Sequence, residues 1–423
     1  MLDPKYIREH AAEVQKNCAR RNVKVDVDRF VELDAQRLAF TKEVEALRAE
    51  RNIVANQMKS VKDKEERDVQ IAKGKGLKDD IAAKEEELSA IEGEWRALLL
   101  QIPNMTHPDS PDGKTDEDNV EVRQVGEVTK LKNPLDHVML SEKHDLIDFA
   151  RGAKVAGAKF YFLKGKMAIL EQALIRFALD RLTKEGYIAL STPDVAKDEV
   201  LVGVGFNPRG PETQIYSIEN SDLSLIGTAE ITVGGYHMDE TLAEEGMPLK
   251  YAAISHCYRT EAGTYGRESY GLYRVHQFSK VEMFIVCAPE QSEALHAELL
   301  RHEEDLFTAL EIPFRVVDIC TGDLGGPAYR KYDLEAWMWG RAEGKGGWGE
   351  VTSTSNCTDY QARRLNTRIR SKAGETRLAH TLNGTAVATS RALIALLENH
   401  QQPDGTIKIP NALVPYCGFD TIG

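Results

Sequence analysis

The sequence predicts an α+β protein in which an antiparallel hairpin of two long helices precedes a mixed body of strands and helices. Residues 1–100 hold only one of the 15 prolines and three of the 32 glycines, so the residues that interrupt helices are concentrated later in the chain. From about residue 120 onward, short β-rich runs alternate with helical patterns. They lack the regular spacing of βαβ units, which favours an α+β body.

Two apolar series with heptad spacing predict the two helices of the hairpin. In the first series, apolar residues recur at intervals of seven, and three more precede alternate members by three positions: Leu33, Phe40, Leu47, Val54 and Val61, with Phe30, Val44 and Met58. The second series has spacings of three, four and seven: Ile81, Leu88, Ile91, Trp95, Leu98 and Ile102. Such spacing is typical of the seam between packed helices.

A charged stretch poor in apolar residues, 62–68, separates the two series and predicts the tip of the hairpin. Thirty-odd residues per helix would span about 50 Å at ~1.5 Å per residue. Three prolines between residues 103 and 111 then predict a linker. We therefore expect an N-terminal domain over 1–110, with the arm at about 27–102, and a second domain over 111–423.

Charge excludes a general nucleic-acid coat protein. The 54 Lys and Arg residues are outnumbered by 67 Asp and Glu residues, for a formal net charge of −13, so any nucleic-acid contact must be local. Residues 59–78 are basic, with seven basic and four acidic side chains. Arg37 and Arg51 also fall in the first apolar series, and Arg48 flanks it. This basic edge could bind phosphate groups. An ordinary coiled-coil edge with solvated salt bridges would have the same sequence pattern, and this alternative stays open.

Location and redox state follow from what the sequence lacks. No apolar run approaches the roughly 18 to 20 residues of a membrane helix, and the first ten residues do not form a signal peptide. The six cysteines are scattered without a C-x-x-C pair, which argues against a zinc site or a disulfide framework. We expect a cytoplasmic protein with reduced thiols and no membrane partner.

Neither a P-loop nor a Rossmann glycine pattern is present, so arginine side chains would have to hold the phosphates of any bound ATP. Two segments offer them, residues 256–278 and 383–391. The first reads as a strand, a Gly-rich loop and a returning strand. The second enters an apolar helix.

Over nearly all 423 residues the chain resembles the seryl-tRNA synthetases of bacterial and organellar type, which are class II aminoacyl-tRNA synthetases. Residues 186–193 resemble motif 1, residues 258–263 motif 2 and residues 383–391 motif 3. Further matching segments occur in the same order and spacing: 228–230, 276–278, 278–282, 350–353 and 359–364. The resemblance implies a class II catalytic domain, an antiparallel sheet flanked by helices, over 111–423.

The resemblance also implies the reaction and its partners. The enzyme would activate L-serine with ATP to seryl-adenylate and transfer serine to the 3′ end of tRNA-Ser; whether tRNA-Sec is a second acceptor stays open. A homodimer built on motif 1 is implied, with no DNA partner. The arm would grip the long variable arm of the tRNA through RNA shape and backbone. The candidate contacts are Arg37, Arg48, Arg51, Lys59 and Lys62.

Roles at the ATP site are implied residue by residue. Arg259 would touch the α-phosphate and the serine carboxylate, Glu261 the adenine amino group, and Arg391 the γ-phosphate. Phe278 would stack on the adenine, and backbone groups of Val275 would complete its recognition. Glu350 and Ser353 would hold Mg²⁺, because it prefers oxygen ligands. The complete candidate ATP set is Arg259, Thr260, Glu261, Arg274, Val275, Phe278, Glu350, Val351, Thr352, Ser353 and Arg391.

The serine pocket is implied in the same way, with Glu282 counted as catalytic beside Arg259 and Arg391. A buried Glu282 should disfavour alanine, which would leave the carboxylate unpaired. The candidate serine-binding residues are Thr228, Ala229, Glu230, Glu282, Asn383 and Thr385.

Several positions depart from the family pattern, namely Gly227, Tyr270, Trp339 and the segments 205–210 and 343–349. We expect them to affect loop closure or product release rather than the reaction class. Two alternatives stay open. One is an adenylating homologue that loads an amino acid onto a non-tRNA acceptor, and the other is a catalytically dead RNA-binding paralogue.

Overall fold

The computed structural model describes residues 1–207, 214–261 and 271–423. Four features singled out in the sequence fall wholly or partly outside these ranges: Tyr270, the end of the motif 2 segment, the Gly-rich loop within residues 256–278, and part of the segment 205–210. The chain divides into two compact units, Met1–Met105 and Thr106–Gly423.

The first unit contains the predicted hairpin. Its helices are α1 (Pro4–Glu9), α2 (Ala11–Arg20), α3 (Val27–Met58) and α4 (Lys64–Gln101). The long helices begin where the sequence supplies caps, because the Asp26 carboxylate accepts the Arg29 N–H and the Asp63 carboxylate accepts the Glu66 N–H. Helix α3 ends and α4 begins near the predicted tip, but the turn itself is residues 59–63, and most of the charged stretch 62–68 forms the first turn of α4.

Helices α3 and α4 run antiparallel, as ion pairs along their length show. Arg29 near the start of α3 pairs with Glu94 near the end of α4 at 2.9 Å. Near the tip, Lys73 of α4 pairs with Glu50 of α3 at 2.8 Å. Residues of both apolar series are buried along the seam, among them Leu33, Val44, Val54 and Ile81. The predicted hairpin is confirmed.

The second unit is built on an eight-stranded sheet, in the order β1-β10-β11-β12-β15-β9-β8-β4. Neighbouring strands are antiparallel except β4 and β8, which are parallel. The strands described in this unit are β1 (Val120–Val125), β2 (Ile147–Asp148), β3 (Phe162–Leu163), β4 (Ile188–Ser191), β5 (Val195–Lys197), β6 (Leu223–Leu225), β7 (Thr241–Ala243), β8 (Leu249–Tyr258), β9 (Gln277–Cys287), β10 (Phe314–Asp318), β11 (Arg330–Met338), β12 (Gly347–Asn356), β13 (Arg368–Arg370), β14 (Thr376–Leu378), β15 (His380–Ala388), β16 (Ile407–Lys408) and β17 (Thr421–Ile422).

Three long helices, α7, α10 and α12, pack their apolar residues against this sheet to form the main core. The helices described in this unit are α5 (His137–His144), α6 (Phe149–Ala156), α7 (Lys166–Lys184), α8 (Asp198–Val204), α9 (Ala229–Gly234), α10 (Ser292–Ala309), α11 (Tyr360–Leu365), α12 (Thr389–His400) and α13 (Val414–Cys417). The predicted α+β class is confirmed. Among the described residues, every helix is too short or too polar to cross a membrane.

Strand β9 decides which residues face this core and which face away. Val281, Met283 and Ile285 alternate into the helical core, so Lys280 and Glu282, at the alternate positions of the strand, point to the opposite face of the sheet. That face carries the candidate active site.

Candidate active site

Two adjoining cavities open on the face of the sheet away from the helical core. They share Arg259, Lys280, Glu350 and Thr385 in their walls. The first, which we call the arginine cavity, is lined by Arg259, Glu261, Tyr273, Val275, Phe278, Lys280, Glu350, Val351, Thr352, Thr385, Ala388, Ser390 and Arg391. The second, which we call the acidic cavity, has a volume of about 390 Å³ and contains Thr228, Glu230, Glu282, Ser353 and Asn383.

Arg259 stands at the junction of the two cavities. It follows the last residue of β8, and its N–H donates to the carbonyl of His276 on the returning segment at 3.0 Å. Its guanidinium lies 5.3 Å from the centre of the Phe278 ring and donates to the Gly227 carbonyl at 3.3 Å. A guanidinium fixed in this way can face an anion in either cavity.

Gly227, one of the departures from the family pattern, therefore contacts Arg259 through its carbonyl group. A Cβ at this position would lie 3.7 Å from the Arg259 side chain, which is an ordinary contact distance. The space does not require glycine.

A second arginine comes from the start of α12. The Arg391 guanidinium is 3.0 Å from the Glu350 carboxylate and 4.7 Å from the centre of the Tyr273 ring. The Arg341 guanidinium lies over the same ring at 4.9 Å. Burial lowers the pKa of Arg391, but the opposing effect of Glu350 and Tyr273 is larger, so the pKa of Arg391 is raised overall. Arg391 is a permanent cation.

A β-bulge in β12 brings Glu350 and Ser353 to the same side. Residues three apart on a regular strand point to opposite faces, but the register with β11 passes from Thr352 to Glu350 and skips Val351. As a result both Glu350 and Ser353 line the acidic cavity.

Cations keep Glu350 ionised. Burial raises the pKa of its carboxyl group, but Arg391, Lys331 and Arg259 lower it to about 2. Nearby, Lys331 pairs with Asp333 at 3.0 Å, and burial raises the pKa of Asp333 to about 6.

Besides Glu350, the acidic cavity contains the carboxylates of Glu230 and Glu282. The Glu230 carboxylate accepts hydrogen bonds from the amides of Asn383 at 2.9 Å and Gln361 at 2.8 Å. Burial and the neighbouring Glu282 raise the pKa of Glu230 to about 7.

Glu282 is 2% exposed and has two partners. The Lys280 ammonium is 2.6 Å away, and the Thr385 hydroxyl donates at 3.2 Å. Lys280 also donates to the Thr228 hydroxyl at 2.7 Å, and Thr228 in turn caps α9. Glu282 is therefore already paired, which weakens the expectation that alanine would leave it without a partner.

Most of the predicted site residues thus line one cavity or the other. The exceptions are Ala229, buried at the start of α9, Thr260, whose N–H donates to the Gln214 carbonyl at 3.0 Å, and Arg274, which pairs with Glu261 at 3.3 Å. Thr352 lines the arginine cavity while its hydroxyl donates to Glu303.

Sequence reasoning assigned no role to Lys280, Tyr273 or Lys331. Lys280 carried a usable signal, because it lies midway between Phe278 and Glu282 on a strand and must share their face. Tyr273 and Lys331 carried no comparable signal.

Among the candidate cations of the hairpin, Arg37 is half-buried and the other four are exposed. Arg37 binds the buried Asp34 carboxylate at 3.0 Å and lies 4.6 Å from the centre of the Trp95 ring. Arg48 pairs with Glu85 at 2.7 Å. Arg51, Lys59 and Lys62 are exposed.

Family models match both parts of the chain. Residues 1–106 match the seryl-tRNA synthetase N-terminal domain, and residues 214–400 match the tRNA synthetase class II core domain (G, H, P, S and T).

Individual relatives span the whole chain. A serine–tRNA ligase of Treponema denticola is 55% identical over 424 residues, covering 100% of both proteins. One of Rubrobacter xylanophilus is 56% identical, covering 100% of this chain and 99% of that relative. Among solved structures, the seryl-tRNA synthetase of Pyrococcus horikoshii complexed with ATP has a TM-score of 0.89 at 42% identity, covering 100% of this chain and 99% of that one.

Proposed function

The chain belongs to the seryl-tRNA synthetase family, and from this premise we infer that it activates L-serine with ATP to seryl-adenylate and transfers serine to the 3′ end of tRNA-Ser. The observation that carries this inference is the junction at Arg259. There, a cavity with two arginines and two aromatic rings meets a cavity that contains Glu230 and the buried Glu282. The first offers the cations that the phosphates of a nucleoside triphosphate need, and the second suits a small zwitterion with a hydroxyl group.

In the arginine cavity, Arg259 would bridge the serine carboxylate and the α-phosphate. Attack of the carboxylate on the α-phosphorus places negative charge on that phosphoryl group, so a positioned cation lowers the barrier. Phe278 would stack on the adenine, with Glu261 and the Val275 backbone at its edge. Arg391 would hold the γ-phosphate.

The residues fit the Mg²⁺ that such a reaction uses. Glu350 is ionised and Ser353 lies on the same side of the bulge, so two hard oxygen donors face one cavity. Bound there, Mg²⁺ would neutralise phosphate charge. The protein's own part is to keep Glu350 ionised through Arg391, Lys331 and Arg259.

In the acidic cavity, Glu230 would face the serine ammonium and Glu282 the serine hydroxyl. Thr228, Asn383 and Thr385 complete the polar wall. Because an ammonium prefers a carboxylate, serine binding would favour the ionised form of Glu230.

Transfer of serine needs the tRNA, and we propose that the hairpin binds its long variable arm. The exposed cations Arg51, Lys59 and Lys62 support this proposal, since phosphate contacts of this kind are independent of sequence. Arg48 would have to leave Glu85, and Arg37 is held by Asp34 and Trp95. We therefore expect Arg37 to contribute less.

We also propose a homodimer that works in the cytoplasm, where tRNA is charged for protein synthesis. Strand β4, which lies in the motif 1 segment, is at the edge of the sheet. Ile188 on this strand is 53% exposed, and Ile169 on α7 is also exposed. An exposed apolar sheet edge of this kind is usually covered by another element or by a second chain, which supports the proposed dimer.

The test is ATP–pyrophosphate exchange with each of the twenty amino acids, followed by charging of tRNA-Ser. Exchange with serine alone, followed by charging, is the expected result. Exchange without charging would favour a non-tRNA acceptor, which the long hairpin argues against. Absence of exchange would favour a dead paralogue, although Arg259, Glu261, Glu282 and Arg391 are all present.

A further inference from the structure

Lys280 is a buried cation at the boundary between the two cavities. Its side chain is 7% exposed and lines both of them. A lysine is rarely buried to this extent unless an acidic group neutralises its charge. The surroundings of Lys280 therefore indicate what the side chain does. The roles proposed for the reaction do not use it.

The contacts of Lys280 join two groups that face the acidic cavity. Its ammonium lies 2.6 Å from the Glu282 carboxylate and 2.7 Å from the Thr228 hydroxyl. An ammonium has three N–H donors, and these contacts use two of them. Lys280 thus ties the middle of β9 to the cap of α9.

We propose that Lys280 is a positioning residue for recognition of the substrate hydroxyl group. It supplies the counter-charge for buried Glu282, fixes the direction of that carboxylate, and holds Thr228 beside it. This proposal rests on the proposed function, in which serine occupies the acidic cavity.

The physical reason lies in the cost of an unpaired buried charge. Without Lys280, the Thr385 hydroxyl would still reach Glu282, but one hydroxyl does not balance a buried carboxylate. The carboxylate would then turn toward water or take up a proton. A protonated carboxyl group has lost its charge, so its hydrogen bond with the serine hydroxyl is weaker, and selection of the hydroxyl would weaken with it.

The experiment measures ATP–pyrophosphate exchange for the wild type and for Lys280→Met, which removes the ammonium and keeps most of the side-chain length. We expect the KM for serine to rise at least about tenfold and the preference for serine over alanine to fall by a similar factor. The KM for ATP should change less than about twofold, because the ATP contacts remain. An equal rise in both KM values, or an unchanged preference, would overturn the proposal.

The double variant Lys280→Met/Glu282→Gln guards against simple misfolding. A neutral amide needs no counter-charge, so the double variant should be no worse than Glu282→Gln alone. If the two losses add instead, Lys280 does not act through Glu282.

Lys250 on the neighbouring strand β8 provides a matched control. It pairs with Glu298 at 2.7 Å and lines neither cavity, although its side chain is more exposed than that of Lys280, 19% against 7%. Lys250→Met should lower stability and leave the serine KM unchanged. A similar rise in serine KM would show that loss of any lysine ion pair in this sheet has the same effect. Serine-dependent exchange by the wild type tests the proposed function separately.

Discussion

The guanidinium of Arg391 and the carboxylate of Glu350 lie 3.0 Å apart. The residue proposed for the γ-phosphate and the residue proposed for the metal ion are therefore paired with each other. Binding of the triphosphate would bring a new anion to Arg391 and a new cation to Glu350, so each group exchanges one opposite charge for another.

Replacing Arg391 by Ala should raise the KM for ATP about 10- to 100-fold, the value of one or two hydrogen bonds to a charged group. The KM for serine should change little, because Arg391 does not line the acidic cavity. Pyrophosphate exchange at varied ATP measures this. Arg341→Ala is the control: it removes the other guanidinium over Tyr273, and its effect should not exceed about fivefold.

Replacing Arg259 by Lys should slow activation about 100- to 1,000-fold. The charge remains, but a single ammonium cannot bridge two anions as a planar guanidinium can. Exchange rates at saturating ATP and serine provide the test. Rates like those of the wild type would remove Arg259 from its proposed role at the α-phosphate.

Deleting residues 40–95 should spare exchange and abolish charging of tRNA-Ser. The arginine and acidic cavities are lined only by residues of the second unit. Arg37 of α3 lies over the ring of Trp95 of α4, so the two helices are neighbours at the ends of the deleted range. A short turn can therefore connect the remaining parts of α3 and α4. Charging by the deleted protein at the normal rate would contradict the role of the hairpin.

Reversing charge at the tip tests the same role with a smaller change. Lys59→Glu and Lys62→Glu should raise the KM for tRNA and make charging less sensitive to salt, because fewer counterions are released on binding. Exchange should be unaffected. Glu65→Gln, in the first turn of α4, removes a nearby exposed charge of the opposite sign and should not raise the KM.

Serine binding should weaken as the pH falls through about 7, because protonation of Glu230 removes the charge that we propose for recognition of the substrate ammonium. The groups around it are Glu282, which opposes ionisation, and Lys280 and Arg259, which favour it. The KM for serine measured from pH 6 to 8 should fall with rising pH. In Glu230→Gln this dependence should flatten.

The same group affects stability with the opposite sign. Its pKa is higher in the folded protein, about 7, than the ordinary 4.5. The folded state therefore binds more protons, and the contribution of Glu230 to stability is full below about pH 4.5 and lost as the pH rises through about 7. Denaturation of the wild type and Glu230→Gln at several pH values should show this difference. A constant difference would contradict the assignment.

The hairpin could be predicted because its signals are local. The apolar series place the seam, and Asp26 and Asp63 cap the helices where they begin. The environment of Arg37 could not be predicted, because its partner Trp95 comes from the other helix. A basic residue in a heptad series has the same sequence signature whether it faces phosphate or a neighbouring ring.

The cavity residues could be predicted from their motifs, but their arrangement could not. Glu350 and Ser353 share a side only because β12 bulges at Val351. A bulge depends on the register with β11, which is a long-range pairing. The pairing of Lys280 with Glu282 is different, since alternation along β9 implies a shared face.

Strand β9 also fixes the spacing between side chains of the site. Phe278, Lys280 and Glu282 stand on one face, and a strand rises about 3.4 Å per residue, so the outer two lie roughly 14 Å apart along the chain. This length is set by covalent geometry, and the packing of the cavity walls does not change it. We therefore expect that an uncharged mimic of the intermediate, with one extra methylene between its base and its hydroxyl group, cannot contact Phe278 and Glu282 at the same time. Flexibility of the cavity walls would not change this.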